Sequence, residues 1–173
     1  MDWLPLHSGH PLMVHLPLVA LPLAVLLDGL ATWKQDPRWR QLATILWLLG
    51  LIGAGAAVTT GLIAYDRVDH SDAAHEVMTL HRNVALGAVA LFLLGGAARW
   101  RWSFSRPAVL VGALGVAGIV GAGYLGGEIV FRHAIGLPTG VLEQVMMERG
   151  GHGHDAMPDT MAVQSAVDSG RAQ

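Results

Sequence analysis

The sequence predicts an all-α integral membrane protein, a four-helix bundle that runs up-down-up-down. Four apolar stretches of spanning length carry this prediction, since a helix needs roughly 20 mostly apolar residues to cross a bilayer. They lie at about 12–31, 41–65, 77–98 and 108–131. The 173 residues are 53% hydrophobic with a mean hydropathy of +0.45, which leaves little chain for a soluble domain. We therefore expect one membrane domain over 1–137 and a largely flexible tail over 138–173 that contains Met and His.

The composition excludes several classes of function. A net charge of -2 is too small to indicate nucleic acid as a partner. The sequence has no cysteine, which removes disulfides, iron–sulfur clusters, thiolate haems and covalent c-type haem attachment. A redox centre would therefore be held by His or Met. No HExxH, GxSxG or P-loop spacing occurs, so hydrolytic catalysis has little support and enzyme status is left open.

Lys and Arg in the loops predict the orientation. The loop after the first helix and the loop after the third carry most of the positive residues. These are Lys34, Arg38, Arg40, Arg99, Arg101 and Arg106. The positive-inside rule then puts both termini outside the cytoplasm. We expect a multi-pass protein of the bacterial inner membrane, in contact with the lipid bilayer.

The first helix is expected to begin at Pro11, because a missing N–H suits a first helical position. Pro17 and Pro22 lie inside the span and are expected to bend it. Asp28 lies near the cytoplasmic end and has two interpretations. It is a functional intramembrane carboxylate, or an interfacial group that pairs with Arg38 or Arg40.

The second and fourth helices are rich in glycine and alanine. In the fourth, Gly112, Gly115, Gly118 and Gly121 lie three apart, and Gly123 and Gly127 form a GxxxG pair. Small residues let helix backbones approach closely. They would also leave room for a flat macrocycle between helices, and glycine alone does not decide between the two. No internal repeat is evident in the sequence.

The third helix is expected to start before the apolar stretch does. Ser71 or Asp72 is a plausible N-cap, and Glu76 would lie favourably in the first turns. From His75 to His81 the helix advances about 9 Å and ends about 240° round its axis. These two histidines therefore point in different directions, so they are not expected to bind one ion together and could serve two different sites.

All nine histidines are expected on the non-cytoplasmic side of the membrane. They are His7, His10, His15, His70, His75, His81, His133, His152 and His154. A b-type haem in a helical bundle needs two axial ligands from facing helices and basic groups for its propionates. The histidine-rich side predicts such a site. The alternative is that individual histidines bridge lipid headgroups and water.

The histidines lead to a functional hypothesis. The candidate axial ligands are His15, His81 and His133, then His10 and His75, and the candidate propionate partners are Arg67, Arg82 and Arg132. These residues predict a membrane-bound b-type cytochrome with one or two haem b groups, two being favoured. It would exchange electrons with a periplasmic redox partner.

Two alternatives to the cytochrome stay open. The first is a copper- or zinc-binding membrane protein in which the same histidines act with His152 and His154 of the tail. The second is a structural membrane subunit without a cofactor. Whether the chain forms a homo-oligomer is also open.

Two strings resemble a bacterial family known as domain of unknown function 2231. The string His10-Pro11-Leu12-Met13-Val14-His15-Leu16-Pro17 resembles its opening HPxxVHFP signature, with Leu in place of Phe. The string Gly126-Gly127-Glu128-Ile129-Val130-Phe131-Arg132-His133-Ala134-Ile135-Gly136 resembles its closing GGxLVYxHGxGV element, with Ala134 where Gly is usual. The segment from His75 to His81 corresponds loosely to an internal AxxH segment. The resemblance covers residues 8–137 and implies four transmembrane helices; relatives joined to Rieske-type or cytochrome-like domains would imply electron transfer.

Overall fold

The computed structural model describes residues 9–68, 70–137 and 139–151, and these contain helices and short connections but no strand. The helices are α1 (His10–Met13), α2 (His15–Lys34), α3 (Pro37–Arg67), α4 (Asp72–Arg101), α5 (Arg106–His133) and α6 (Thr139–Gly151). Four segments are long and apolar enough to cross a membrane: His10–Lys34, Pro37–Arg67, Asp72–Arg101 and Arg106–His133. The prediction of an all-α protein with four spanning helices is confirmed.

Each spanning helix is longer than its apolar stretch, and in the last three spans a capped polar turn extends the start. Three residues accept a hydrogen bond from a backbone N–H of the first turn: Asp36 from Arg38 at 2.8 Å, Ser71 from Ala74 at 3.3 Å and Ser105 from Ala108 at 3.2 Å. The predicted cap at Ser71 is therefore present. Apolar periodicity does not report these turns, which accounts for the shorter bounds expected from the sequence.

The first span is broken at Val14, which separates α1 from α2. Pro17 lies in the first turn after this break. A proline ring clashes with the carbonyl four residues earlier, here that of Met13, so α1 cannot continue regularly into α2. Pro22 lies further along, inside α2.

The spans form two hairpins that dock side by side. Helix α2 packs mainly on α3 and α4 mainly on α5, while contacts of α2 with α5 and of α3 with α4 close the bundle. Glycines allow the close approach: a Cβ at Gly50 would lie 2.6 Å from Leu21, and one at Gly112 would lie 2.7 Å from Val25. The expected Gly123–Gly127 pair differs, since a Cβ at either position meets no described atom within 4 Å.

The two hairpins repeat each other in ways that the sequence did not reveal. Each turn between helices holds a residue in the left-handed conformation, Gln35 (φ 55°) and Phe104 (φ 53°), directly before the capping residue. Asp28 of the first hairpin lies against Arg99 of the second, 71 positions later. His10 and His81 are separated by the same interval. The bundle is thus two similar halves that face each other.

Asp28 and Arg99 form a buried ion pair between the halves. Arg99 donates from Nε to Oδ2 at 2.7 Å and from Nη2 to Oδ1 at 3.0 Å, and Trp47 Nε1 donates to Oδ2 at 2.7 Å. Arg99 Nη2 also donates to Thr44 Oγ1 at 3.0 Å. The expected pairing of Asp28 with Arg38 or Arg40 is wrong. Arg40 instead donates to the backbone carbonyl of Arg99 at 2.7 Å.

Helix α5 ends in a strained position, and α6 follows in a separate compact unit that begins at Leu137. Ala134 adopts the left-handed conformation (φ 52°) that glycine favours, so the helix stops at His133. Of the tail over 138–173, the structure describes 139–151. These residues are helical, with exposed apolar side chains such as Met146 and Met147. The expected flexibility of the remaining tail lies outside the described residues.

Replacing Asp28 by Ala is expected to lower the free energy of unfolding by about 3–5 kcal/mol, because the Arg99 charge is then buried without a partner. The double variant Asp28→Leu/Arg99→Leu should recover most of this loss. Glu128→Ala is the control, because its pair with Arg132 joins neighbours on one helix and Arg132 is 74% exposed. Denaturant titration in detergent measures all three, and an Asp28→Ala effect no larger than the control would contradict the assignment.

Candidate metal centre

Two histidines from different hairpins meet at the end of the bundle where α3 and α5 finish, which we call the histidine end. His10 begins α1, and its Nδ1 donates to the carbonyl of Ala57 on α3 at 3.0 Å. His81 lies on α4, and its Nδ1 donates to the carbonyl of Ala122 on α5 at 2.8 Å. The two ring centres are 6.3 Å apart, with the ring planes at 88°. We call these two side chains the histidine pair.

A glycine lies beneath each ring, one helical turn after the carbonyl that the ring binds. A Cβ at Gly61 would stand 2.9 Å from Cε1 of His10, and one at Gly126 would stand 3.4 Å from Cε1 of His81. Both glycines follow their alanine by four positions. In each hairpin, therefore, an Ala-xxx-Gly segment holds an imidazole: the alanine carbonyl accepts its hydrogen bond and the glycine leaves room for the ring.

The hydrogen bonds determine which ring nitrogen is free. A carbonyl oxygen only accepts, so both Nδ1 atoms carry the proton and both Nε2 atoms of the neutral rings carry a lone pair. Among the described residues, neither Nε2 has a recorded hydrogen-bond partner. Metal-binding histidines commonly donate their other N–H to a carbonyl, which fixes the tautomer and the ring orientation. The pair has this arrangement.

The spacing of the ring centres matches two imidazoles on opposite sides of one metal ion. If both Nε2 atoms face the ion in a line, about 2 Å from it and each about 1.2 Å from its own ring centre, the ring centres lie about 6.4 Å apart. The observed separation is 6.3 Å. Among the described residues, no three His, Asp or Glu side chains are grouped so as to hold a metal. An ion bound here would take two ligands from the protein.

The other candidate ligands lie elsewhere at this end. His15 follows the break at Val14 and is exposed, and His133 is half-buried at the end of α5. Arg67 is exposed at the end of α3, and Arg132 donates to Glu128 on its own helix at 3.0 Å. His7, His152 and His154 lie outside the described residues.

A second polar cluster involves the remaining candidates, His75 and Arg82. His75 hydrogen-bonds to His70 at 2.8 Å and to the hydroxyl of Tyr65 at 3.1 Å. Arg82 lies over the Tyr65 ring, with its guanidinium carbon 4.6 Å from the ring centre. The expectation that His75 and His81 serve different places agrees with this arrangement. Sequence reasoning gave no role to Tyr65, and its spacing to His75 carries no motif that would have indicated one.

The comparison with protein families decides what kind of chain this is. Residues 6–139 match the model of a family described as "Predicted membrane protein (DUF2231)". The chain belongs to the DUF2231 family. The match covers the four spans and the histidine pair of this DUF2231 protein. No curated protein and no solved structure matches the chain.

Replacing Gly61 by Ala is expected to lower the free energy of unfolding by about 1–3 kcal/mol, because the new methyl group displaces the His10 ring. Gly126→Ala should have a smaller effect, since its Cβ would make an ordinary contact with His81. Gly123→Ala is the control, because a Cβ there meets no described atom within 4 Å and alanine favours the helix. Thermal unfolding in detergent measures the series. Equal effects at Gly61 and Gly123 would show that the His10 ring does not pack closely on Gly61.

Proposed function

We propose that this protein is a membrane-bound b-type cytochrome that holds haem between His10 and His81 and transfers electrons. The observation that carries the proposal is the histidine pair. Its ring centres lie at the distance of two imidazoles on one iron, and each Nδ1 is anchored to a carbonyl. The sequence ranked His15 ahead of His10, whereas the geometry favours His10 as the partner of His81.

The small number of protein ligands favours haem over a bare ion. Zinc sites use three or four protein ligands, and Cu(II) also prefers several. The described residues offer no group of three. Haem brings four equatorial nitrogens of its own, so it needs only two axial histidines. A haem bound there would supply one-electron chemistry between its ferric and ferrous states.

Two arginines at the histidine end suit the propionates. Arg67 ends α3 and is exposed, and Arg82 lies one residue after His81. Guanidinium groups bind carboxylates through paired hydrogen bonds. Arg132 is the third candidate, but its pair with Glu128 competes for the guanidinium. The proposal therefore assigns propionate binding first to Arg67 and Arg82.

The loop charges support the side on which electrons are exchanged. The end opposite the histidine pair carries Lys34, Arg38, Arg40, Arg99, Arg101 and Arg106. By the positive-inside rule that end faces the cytoplasm, so the histidine end faces the periplasm of a bacterial inner membrane. A centre close to that face would exchange electrons with a periplasmic redox partner rather than carry them across the bilayer. The pair accounts for one haem, and a second haem would need ligands from the other histidines.

The test is the visible spectrum of detergent-purified protein, oxidised and then reduced with dithionite. We expect a Soret band with sharp reduced α and β bands. His10→Ala and His81→Ala should each abolish the six-coordinate spectrum, because one axial ligand is lost. His15→Ala and His133→Ala are controls at histidines of the same end of the bundle and should leave it unchanged.

Three other outcomes would redirect the assignment. Loss of the spectrum in His15→Ala but not in His10→Ala would contradict the histidine pair as ligands. A featureless spectrum from haem-competent cells, with copper or zinc found by elemental analysis, would favour the metal-binding alternative. A protein with neither colour nor metal would favour a structural membrane subunit.

A further inference from the structure

Four side chains next to the histidine pair form a continuous chain of hydrogen bonds, which we call the relay. It runs from His70 through His75 and Tyr65 to Thr79. His70 Nε2 and His75 Nδ1 are 2.8 Å apart, His75 Nε2 and the Tyr65 hydroxyl 3.1 Å, and Tyr65 and Thr79 hydroxyls 2.8 Å. The two imidazole planes are nearly parallel, at 12°, with ring centres 5.1 Å apart, so the rings lie almost edge to edge.

The position of every proton in the relay follows from one backbone carbonyl. His70 Nδ1 lies against the Val68 carbonyl, so it must donate, and Nε2 of the neutral ring must accept. His75 Nδ1 therefore donates to His70, which leaves His75 Nε2 as an acceptor. Tyr65 donates to that nitrogen, and Thr79 in turn donates to the Tyr65 oxygen.

This arrangement has room for one more proton, at His75. If Nε2 of His75 is protonated, the imidazolium donates to His70 on one side and to the Tyr65 oxygen on the other. The Tyr65 hydroxyl then turns to donate to Thr79, and no bond of the relay is lost. A second proton on His70 Nε2 would break the bond between the imidazoles. The relay is therefore suited to binding a single proton.

The relay shares α4 with His81, and it shares α3 with the glycine beneath His10. Tyr65 follows Gly61 by one turn of α3, and Thr79 precedes His81 by two residues on α4. Along α4, His75 and His81 are about 9 Å apart. A charge that appears at the pair would thus act on a proton at His75 over about 10 Å.

We infer that His75 is a proton-binding site linked to the redox state of the centre at His10 and His81, an inference that rests on the proposed function. When an external one-electron donor reduces the centre, a proton from the solvent binds more tightly at His75 Nε2; when the centre is oxidised, the electron leaves and that proton is released more easily. The proton offsets the added negative charge. The protein would then serve best with redox partners whose own chemistry couples an electron to a proton.

Several charged or titratable groups surround His75 and also act on a proton bound there. From the loop it faces His70, and from α3 it faces Tyr65, over whose ring Arg82 lies. The other charged residues near the ends of these helices are Asp66, Arg67, Asp72 and Glu76. Asp72 and Glu76 share the first turns of α4 with His75, so their charges also act on it.

The sign and size of the effect follow from Coulomb's law. Reduction makes the centre more negative and so favours the protonated form of His75, and acid therefore favours reduction. Over about 10 Å, at an effective dielectric constant of about 20, the reduction equilibrium constant changes roughly tenfold between the two protonation states.

The experiment is a redox titration of the haem-loaded protein, followed by its α band, between about pH 5 and about pH 9. We expect the reduction equilibrium constant of the wild type to change roughly tenfold over this pH range. His75→Gln, whose side chain cannot bind a proton there, should lose this change and keep its Soret band. Tyr65→Phe removes one acceptor of the imidazolium and should shift the change to lower pH. Glu76→Gln is the control for a nearby exposed charge and should retain the change.

The outcomes separate this inference from the proposed function. Absence of a Soret band in the wild type would overturn both. A normal Soret band with a reduction equilibrium that does not vary with pH would overturn only the linkage. A pH dependence that persists in His75→Gln, or that vanishes equally in Glu76→Gln, would overturn the assignment to His75. If His75→Gln does not fold, the shift in Tyr65→Phe decides, and an unshifted profile there rejects the relay.

Discussion

The ion pair of Asp28 and Arg99 is the constraint on which the docking of the two hairpins depends. In lipid, helices gain little from burying apolar surface against each other, so close packing and polar contacts decide how they associate. A carboxylate inside the bundle needs a partner, and Arg99 with Trp47 supplies three hydrogen bonds to it. These bonds join α2, α3 and α4, and glycines such as Gly50 and Gly112 let the backbones approach to the distance that the bonds require.

The same docking creates the histidine pair at the opposite end. Each imidazole is held by its own hairpin, His10 on the Ala57 carbonyl and His81 on the Ala122 carbonyl. The distance between the rings is therefore not set within either hairpin. It is set by how the hairpins meet, which the ion pair fixes at the far end. Structure and chemistry are linked here, because a change in helix docking would alter the separation of the two Nε2 atoms.

The sequence predicted the four spans because hydropathy reports each helix separately, and local chemistry placed the cap of the third span at Ser71 or Asp72. It did not predict which side chains meet across the bundle. The sequence favoured His15 because it lies further into the first span, whereas the structure leaves His15 exposed and packs His10 against α3. The partner of Asp28 was also missed, since nothing local distinguishes an arginine 71 positions away from the nearer ones. Local sequence patterns predicted the helices and a cap, whereas the side-chain pairs across the bundle became visible only in the tertiary structure.

The similarity of the two hairpins raises a question of self-recognition. A chain built from two alike halves could exchange them with a second chain, or pair two first halves together. Two first halves would bring one Asp28 against another, and two second halves would oppose two Arg99 guanidiniums, in each case burying like charges without compensation. Only a first half docked on a second half pairs an Asp28 carboxylate with an Arg99 guanidinium. The opposite charges at equivalent positions therefore favour the pairing of each hairpin with its complement over the pairing of two like hairpins.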